Sequence, residues 1–160
     1  MVTTKRSIPL MRLVQENLSI VMTYAYSRQA LAEMFEGKFR GRWGYLHAAL
    51  FEISLERAEK ACFELALFLR ILDDEQRLSA YFASMNSVPD CGTLILKDGS
   101  EKPLPFREVA NKVIHSSRLE WKSEKGADPV LICHTQNKEG WLRAEVKILA
   151  LAEVCGRLMG

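Results

Sequence analysis

Hydrophobic positions recur at intervals of three and four through the first half of this chain, and at intervals of two through much of the second. After Pro9, residues Leu10, Leu13, Val14, Leu18, Val21, Met22 and Ala25 mark one helical face, and Leu31, Met34 and Phe35 carry it to Gly37. The spacing predicts one long helix, or two joined near Ser27, with Gly37 as its C-cap. A second helix is expected from Trp43–Leu46 to about Leu72, ending before Asp73-Asp74. It carries two adjoining stripes, one through Leu46, Leu50, Ile53, Ala61, Leu65, Phe68 and Leu72, the other through Phe51, Leu55, Ala58, Cys62 and Leu69. A helix apolar on two sides belongs in the middle of the body. A third, from about Asp74 to Ser84, presents Leu78, Tyr81, Phe82 and Met85, with acidic residues where the helix dipole favours them.

Beyond Val88-Pro89 the period shortens. Thr93–Leu96 reads as a strand, Lys97-Asp98-Gly99-Ser100 as a tight turn and Lys102–Leu104 as a weak return strand. A short helix follows from Pro105 to His115, with Phe106, Val109 and Val113 as its buried stripe and Pro105 suited to its first turn. Arg118–Lys122 and Pro129–Thr135 read as strands, Trp141–Lys147 alternates Trp141, Arg143, Glu145 and Lys147 against Leu142, Ala144, Val146 and Ile148, and Leu149–Leu158 reads as a final helix. The expected fold is α+β and mainly α, a helical bundle with a small antiparallel β decoration in its C-terminal half. One domain covers 1–160: a loose tail over 1–8, the helical body over 9–86, and the hairpin, short helix, second hairpin and last helix over 87–160.

At 160 residues the chain is long enough to bury roughly two-thirds of its surface without staples. A net charge of +2 excludes a general polyanion binder, so any nucleic-acid contact must come from a local patch. Cys62, Cys91, Cys133 and Cys155 are far apart with no CxxC pair, which is reduced, core-type usage. The first ten residues lack the apolar core of a signal peptide, and the run Leu18–Tyr26 is too short to span a bilayer, so a cytoplasmic location without membrane contact is expected.

The short helix also carries the candidate chemistry. Arg107, Asn111 and His115 fall at i, i+4 and i+8 and drift only about 80° around the axis, so a cation, an amide and an imidazole share one face. A guanidinium and an amide can hold a phosphate while an imidazole moves a proton from a 2′-hydroxyl, the requirements of a metal-independent ribonuclease. The string Asn-Lys-Val-Ile-His, preceded by Leu-Pro-Phe-Arg-Glu, resembles the Arg-Asn-x-x-x-His helix of HEPN-domain proteins. That resemblance implies an all-helical, usually dimeric protein that cleaves RNA in a cleft, often within toxin or phage-defence systems. Asn111 and His115 match the polar and histidine positions. Ala110 stands where the family has arginine, which leaves Arg107, one turn earlier, as the substitute. The C-terminal strands also resemble small proteins of phages and mobile elements.

A rival cluster, Lys38, Arg40, Arg42, Trp43 and His47, is basic and aromatic and could grip phosphates and stack a base. Arg42 and His47 also satisfy the arginine-to-histidine spacing of the HEPN motif. Cys133 and His134, adjacent on a strand, point to opposite faces and cannot readily share a metal, so neither a metal nor another cofactor is expected. Walker, GxGxxG, GxSxG and HExxH motifs are absent from the sequence. Two expectations follow: an RNA- or nucleotide-binding, HEPN-like homodimer with or without cleavage, or a catalytically silent module that binds a protein partner.

Overall fold

The apolar stripe of the first helix contains no breaker. The computed structural model, which describes residues 9–37, 44–86, 89–136 and 140–159, shows a single helix of 28 residues, α1 (Leu10–Gly37). Ser27 does not interrupt it, and its hydroxyl bonds the Tyr24 carbonyl within the helix at 3.4 Å. The tail expected over 1–8 lies outside the described residues. Next come α2 (Tyr45–His47), a π-helical turn (Ala48–Glu52) and α3 (Ile53–Gln76), continuous with one another because the joining residues all keep right-handed helical angles.

α3 overruns the stop expected before Asp73. Asp73 faces inward at 4% exposure, and Asp74, expected to open the third helix, belongs to the last turns of α3. The helix ends instead at Arg77, whose left-handed φ of 53° turns the chain into α4 (Leu78–Ser84). Acidic groups at a helix C-terminus oppose the dipole, so this arrangement needs compensation from elsewhere.

The second half contributes β1 (Asp90–Leu96), β2 (Glu101–Pro105), α5 (Phe106–Ile114), β3 (Arg118–Lys122), β4 (Val130–His134), β5 (Trp141–Lys147) and α6 (Ile148–Met159). In the β1–β2 turn Asp98 Oδ1 accepts the Ser100 N–H at 2.8 Å and its hydroxyl at 2.6 Å, with Gly99 at a φ of 84°. The strands do not form a separate decoration. They join one antiparallel sheet in the order β2-β1-β5-β4-β3, and α5 carries the chain from one edge to the other. Leu119, Trp121, Leu131, Cys133, Ala144 and Val146 on one face of this sheet belong to the same apolar cluster as residues of α1, α3, α4, α5 and α6. The sheet is therefore a wall of the core, with helices over one face and Glu120, Ile132, Glu145 and Thr93 in line on the other.

Trp141 departs from the expected alternation. The β1–β5 register shifts between Ile95 and Leu96, so Trp141 points inward with Ala144 and Val146 while Leu142 is left 44% exposed. Both sheet edges are blunted. Pro103 and Pro105 remove donors from β2, and Arg28 of α1 bonds the Trp121 carbonyl of β3 at 2.6 Å.

Gly92 sits at a φ of 150° against β5, and a Cβ placed on it would lie 1.9 Å from the Glu145 carbonyl oxygen. Backbone cannot give way there without breaking the central β1–β5 pairing. Gly92→Ala should cost several kcal/mol or prevent folding, of the order seen for steric clashes in a core. Gly156→Ala, in α6 with open space around it, should instead stabilise by about 0.5–1 kcal/mol. Urea denaturation of both variants checks the contrast.

Candidate functional site

Pro105 is extended (ψ 158°) and serves as the N-cap of α5 instead of its first turn. Asp90 Oδ1 fixes the approach, accepting the N–H groups of Gly92 at 3.1 Å and Leu104 at 3.3 Å. Phe106, Val109, Ala110 and Val113 are buried as the spacing predicts, with Phe106 edge-on to Phe82 of α4 at 6.3 Å. That phase turns Arg107 toward the C-terminal end of α3.

There the guanidinium is taken. Arg107 Nη1 donates to Asp73 Oδ2 at 2.5 Å and to Asp74 Oδ1 at 2.6 Å. Asp73 also accepts the Ser79 N–H through Oδ1 at 2.7 Å and the Ser79 hydroxyl through Oδ2 at 2.9 Å. The carboxylate thus caps α4 from the preceding helix, where Arg77 offers no side-chain cap of its own. Burial alone pushes the Asp73 carboxyl up, but the Arg107 hydrogen bond, both Ser79 bonds and the Arg107 charge outweigh it and hold it below its ordinary value. Two carboxylates around one guanidinium leave the cluster net negative. A phosphate approaching Arg107 would meet repulsion before it met a free donor.

The other two residues of the row remain unengaged. Asn111 is half-buried, and His115, at the C-cap of α5, is exposed, its N–H bonded to the Asn111 carbonyl at 3.0 Å. Neither side chain has a hydrogen bond or ion pair among the described residues. Between them, Lys112 bonds Glu108 at 3.2 Å and lies 4.9 Å over the Trp141 ring. Of the rival cluster, Lys38, Arg40, Arg42 and Trp43 lie outside the described residues. His47 stacks on Phe51 at 5.1 Å, meets Phe35 edge-on at 5.6 Å and has Nδ1 3.8 Å from Glu52.

The sheet face turned away from the core cluster gathers groups that sequence reading left scattered. Arg118, His134, Arg143 and the buried Ile95 form one cross-strand row, and Glu120, Ile132, Glu145 and Thr93 form the next row on the same face. His134 Nε2 is 2.8 Å from Glu120, Arg118 is 3.5 Å from the same carboxylate, and Arg143 bonds Glu145 at 3.0 Å. The Glu120 carboxyl lies below its ordinary range, chiefly through the His134 hydrogen bond. Pairing of strands explains why alternation within each strand could flag these faces but not join them.

The thiols offer no nucleophile. All four cysteines are reduced and buried, and burial pushes Cys91, Cys133 and Cys155 up to about 12 and Cys62 up as well. Among the described residues no group of three or more His, Cys, Asp or Glu side chains could hold a metal, and no helix is long and apolar enough to cross a membrane. Comparison with protein-family models, curated proteins and solved structures finds no match for this chain.

Because folding depresses the Asp73 carboxyl, its contribution to stability is present above the ordinary value of 3.8 and drains away as pH falls below that value. Urea denaturation between pH 6 and about pH 2 should show this acid limb, flattened in Asp73→Asn. At neutral pH Arg107→Gln should cost roughly 2–3 kcal/mol, below the ~3–5 of a fully buried pair, because the arginine side chain is 34% exposed.

Proposed function

We propose that this protein works as a non-catalytic interaction module that engages a protein partner. The observation that carries this reading is the Arg107–Asp73–Asp74 cluster, which commits the only arginine of the α5 row to the protein's own carboxylates. An accessory or antagonist protein needs a stable body with a polar surface, and the sheet face turned away from the core cluster suits that role. Its charges alternate in sign, with Val130, Ile132 and Thr93 between them, as at the rim and core of a protein–protein contact. Glu120 and Glu145 in the middle of that face disfavour a phosphate backbone. The HEPN-like bundle and its RNA chemistry rest on Asn111 and His115, whose free side chains favour a second reading, RNA retention through α5.

RNA separates the two. Labelled single-stranded RNA incubated with the protein at low salt without metal should stay intact, and His115→Ala should leave its retention unchanged. Cleavage abolished by His115→Ala would restore the ribonuclease reading. In the native host, a photo-crosslinking residue at position 132 should give a discrete protein adduct and the same residue at position 12 none; an RNA adduct from position 132 would contradict the proposal.

A further inference from the structure

A second polar feature lies away from both α5 and the sheet face. α1 and α3 enclose an open groove of about 220 Å³. Ser19, Thr23 and Ser27 line it from α1 at i, i+4 and i+8, and Ser54 and Arg57 line it from α3 at i and i+3, with Ile20 and Tyr24 completing the lining. The π-helical turn ends two residues before Ser54. A π turn carries an extra residue per turn, so it resets the phase of everything after it and aims Ser54 and Arg57 at α1.

Four donor groups of this groove are free among the described residues. Ser27 bonds the Tyr24 carbonyl, but the hydroxyls of Ser19, Thr23 and Ser54 have no hydrogen-bond partner among the described residues. Helical serine and threonine hydroxyls ordinarily turn back on the preceding carbonyls. Arg57 has neither an ion pair nor a hydrogen bond among the described residues, in contrast to Arg107 with its two carboxylates. Lys60, the next cation along α3, is taken by Glu64 at 3.7 Å.

We propose that this groove binds a small solute through its phosphate group, with Arg57 holding the charge and the three free hydroxyls meeting the remaining oxygens. A guanidinium fork matches phosphate geometry in two parallel hydrogen bonds, and neutral hydroxyls add directed contacts. Size sets the class of solute. At about 30 Å³ per water the groove holds roughly seven waters' worth of ligand, a phosphate with a few attached atoms. It is smaller than the ~300–1,000 Å³ of sites for drug-sized ligands, which suits a small phosphate-bearing solute. This site is independent of the partner-binding reading, and either can fail alone.

Titration of isotopically labelled protein with inorganic phosphate, against chloride at matched ionic strength, tests the proposal. Amide resonances of Ser19, Thr23, Ser54 and Arg57 should shift and saturate together in the millimolar range. Arg57→Gln should weaken the response at least tenfold and Ser54→Ala several-fold, whereas Arg157→Gln, on α6 and outside the groove lining, should leave it unchanged. An exposed arginine without a partner is dispensable for folding, so thermal melts of Arg57→Gln should match wild type. A response that never saturates, or that survives intact in both Arg57→Gln and Ser54→Ala, would overturn the assignment.

Discussion

A buried carboxylate must be matched, and Asp73 is the place where this protein meets that demand. At 4% exposure its ionised form would cost several kcal/mol without a partner. Arg107 supplies the charge and Ser79 two further donors, so three segments converge on one group: the end of α3, the start of α4 and the first turn of α5. The left-handed residue Arg77 is what lets the chain double back far enough for Ser79 to arrive. Since α5 connects the two edges of the sheet, fixing its first turn against α3 also sets how the sheet lies beneath the helices.

The same economy decides what α5 can do. A guanidinium shared by two carboxylates stabilises the fold and is a poor phosphate clamp, because the local charge is already negative. Asn111 and His115 keep the spacing of a catalytic row but lack its cation. Free donors occur instead in the α1–α3 groove, and a patterned polar surface occurs on the side of the sheet turned away from the core cluster. The features that could meet another molecule therefore lie outside the helix that the motif singled out.

Much of the architecture was legible because it is periodic. The three-and-four spacing marked α1, α3 and α5, and the shorter period marked β3 and β4 as strands, with Phe106, Val109 and Val113 buried where the pattern places them. What periodicity could not reach involves partners distant in sequence. Asp73-Asp74 read as a helix stop, since nothing local announces an arginine 34 residues on. Likewise Trp141 grouped with Arg143, Glu145 and Lys147 until a register shift against β1 set it with Ala144 and Val146, and two separate hairpins became one sheet through β1–β5 pairing. The candidate row fared the same way: its residues and their shared face were readable, whereas the destination of Arg107 depended on how α5 docks.

The most direct test of this account is a double-mutant cycle on Asp73 and Arg107, using Asp73→Asn, Arg107→Gln and the combined variant in urea denaturation at neutral pH. Mutual dependence predicts a coupling energy of about 1.5–3 kcal/mol, the range for charge-assisted hydrogen bonds and contacting residues. Additive effects, with coupling below about 0.5 kcal/mol, would mean that Arg107 does not serve Asp73 and is free for another role.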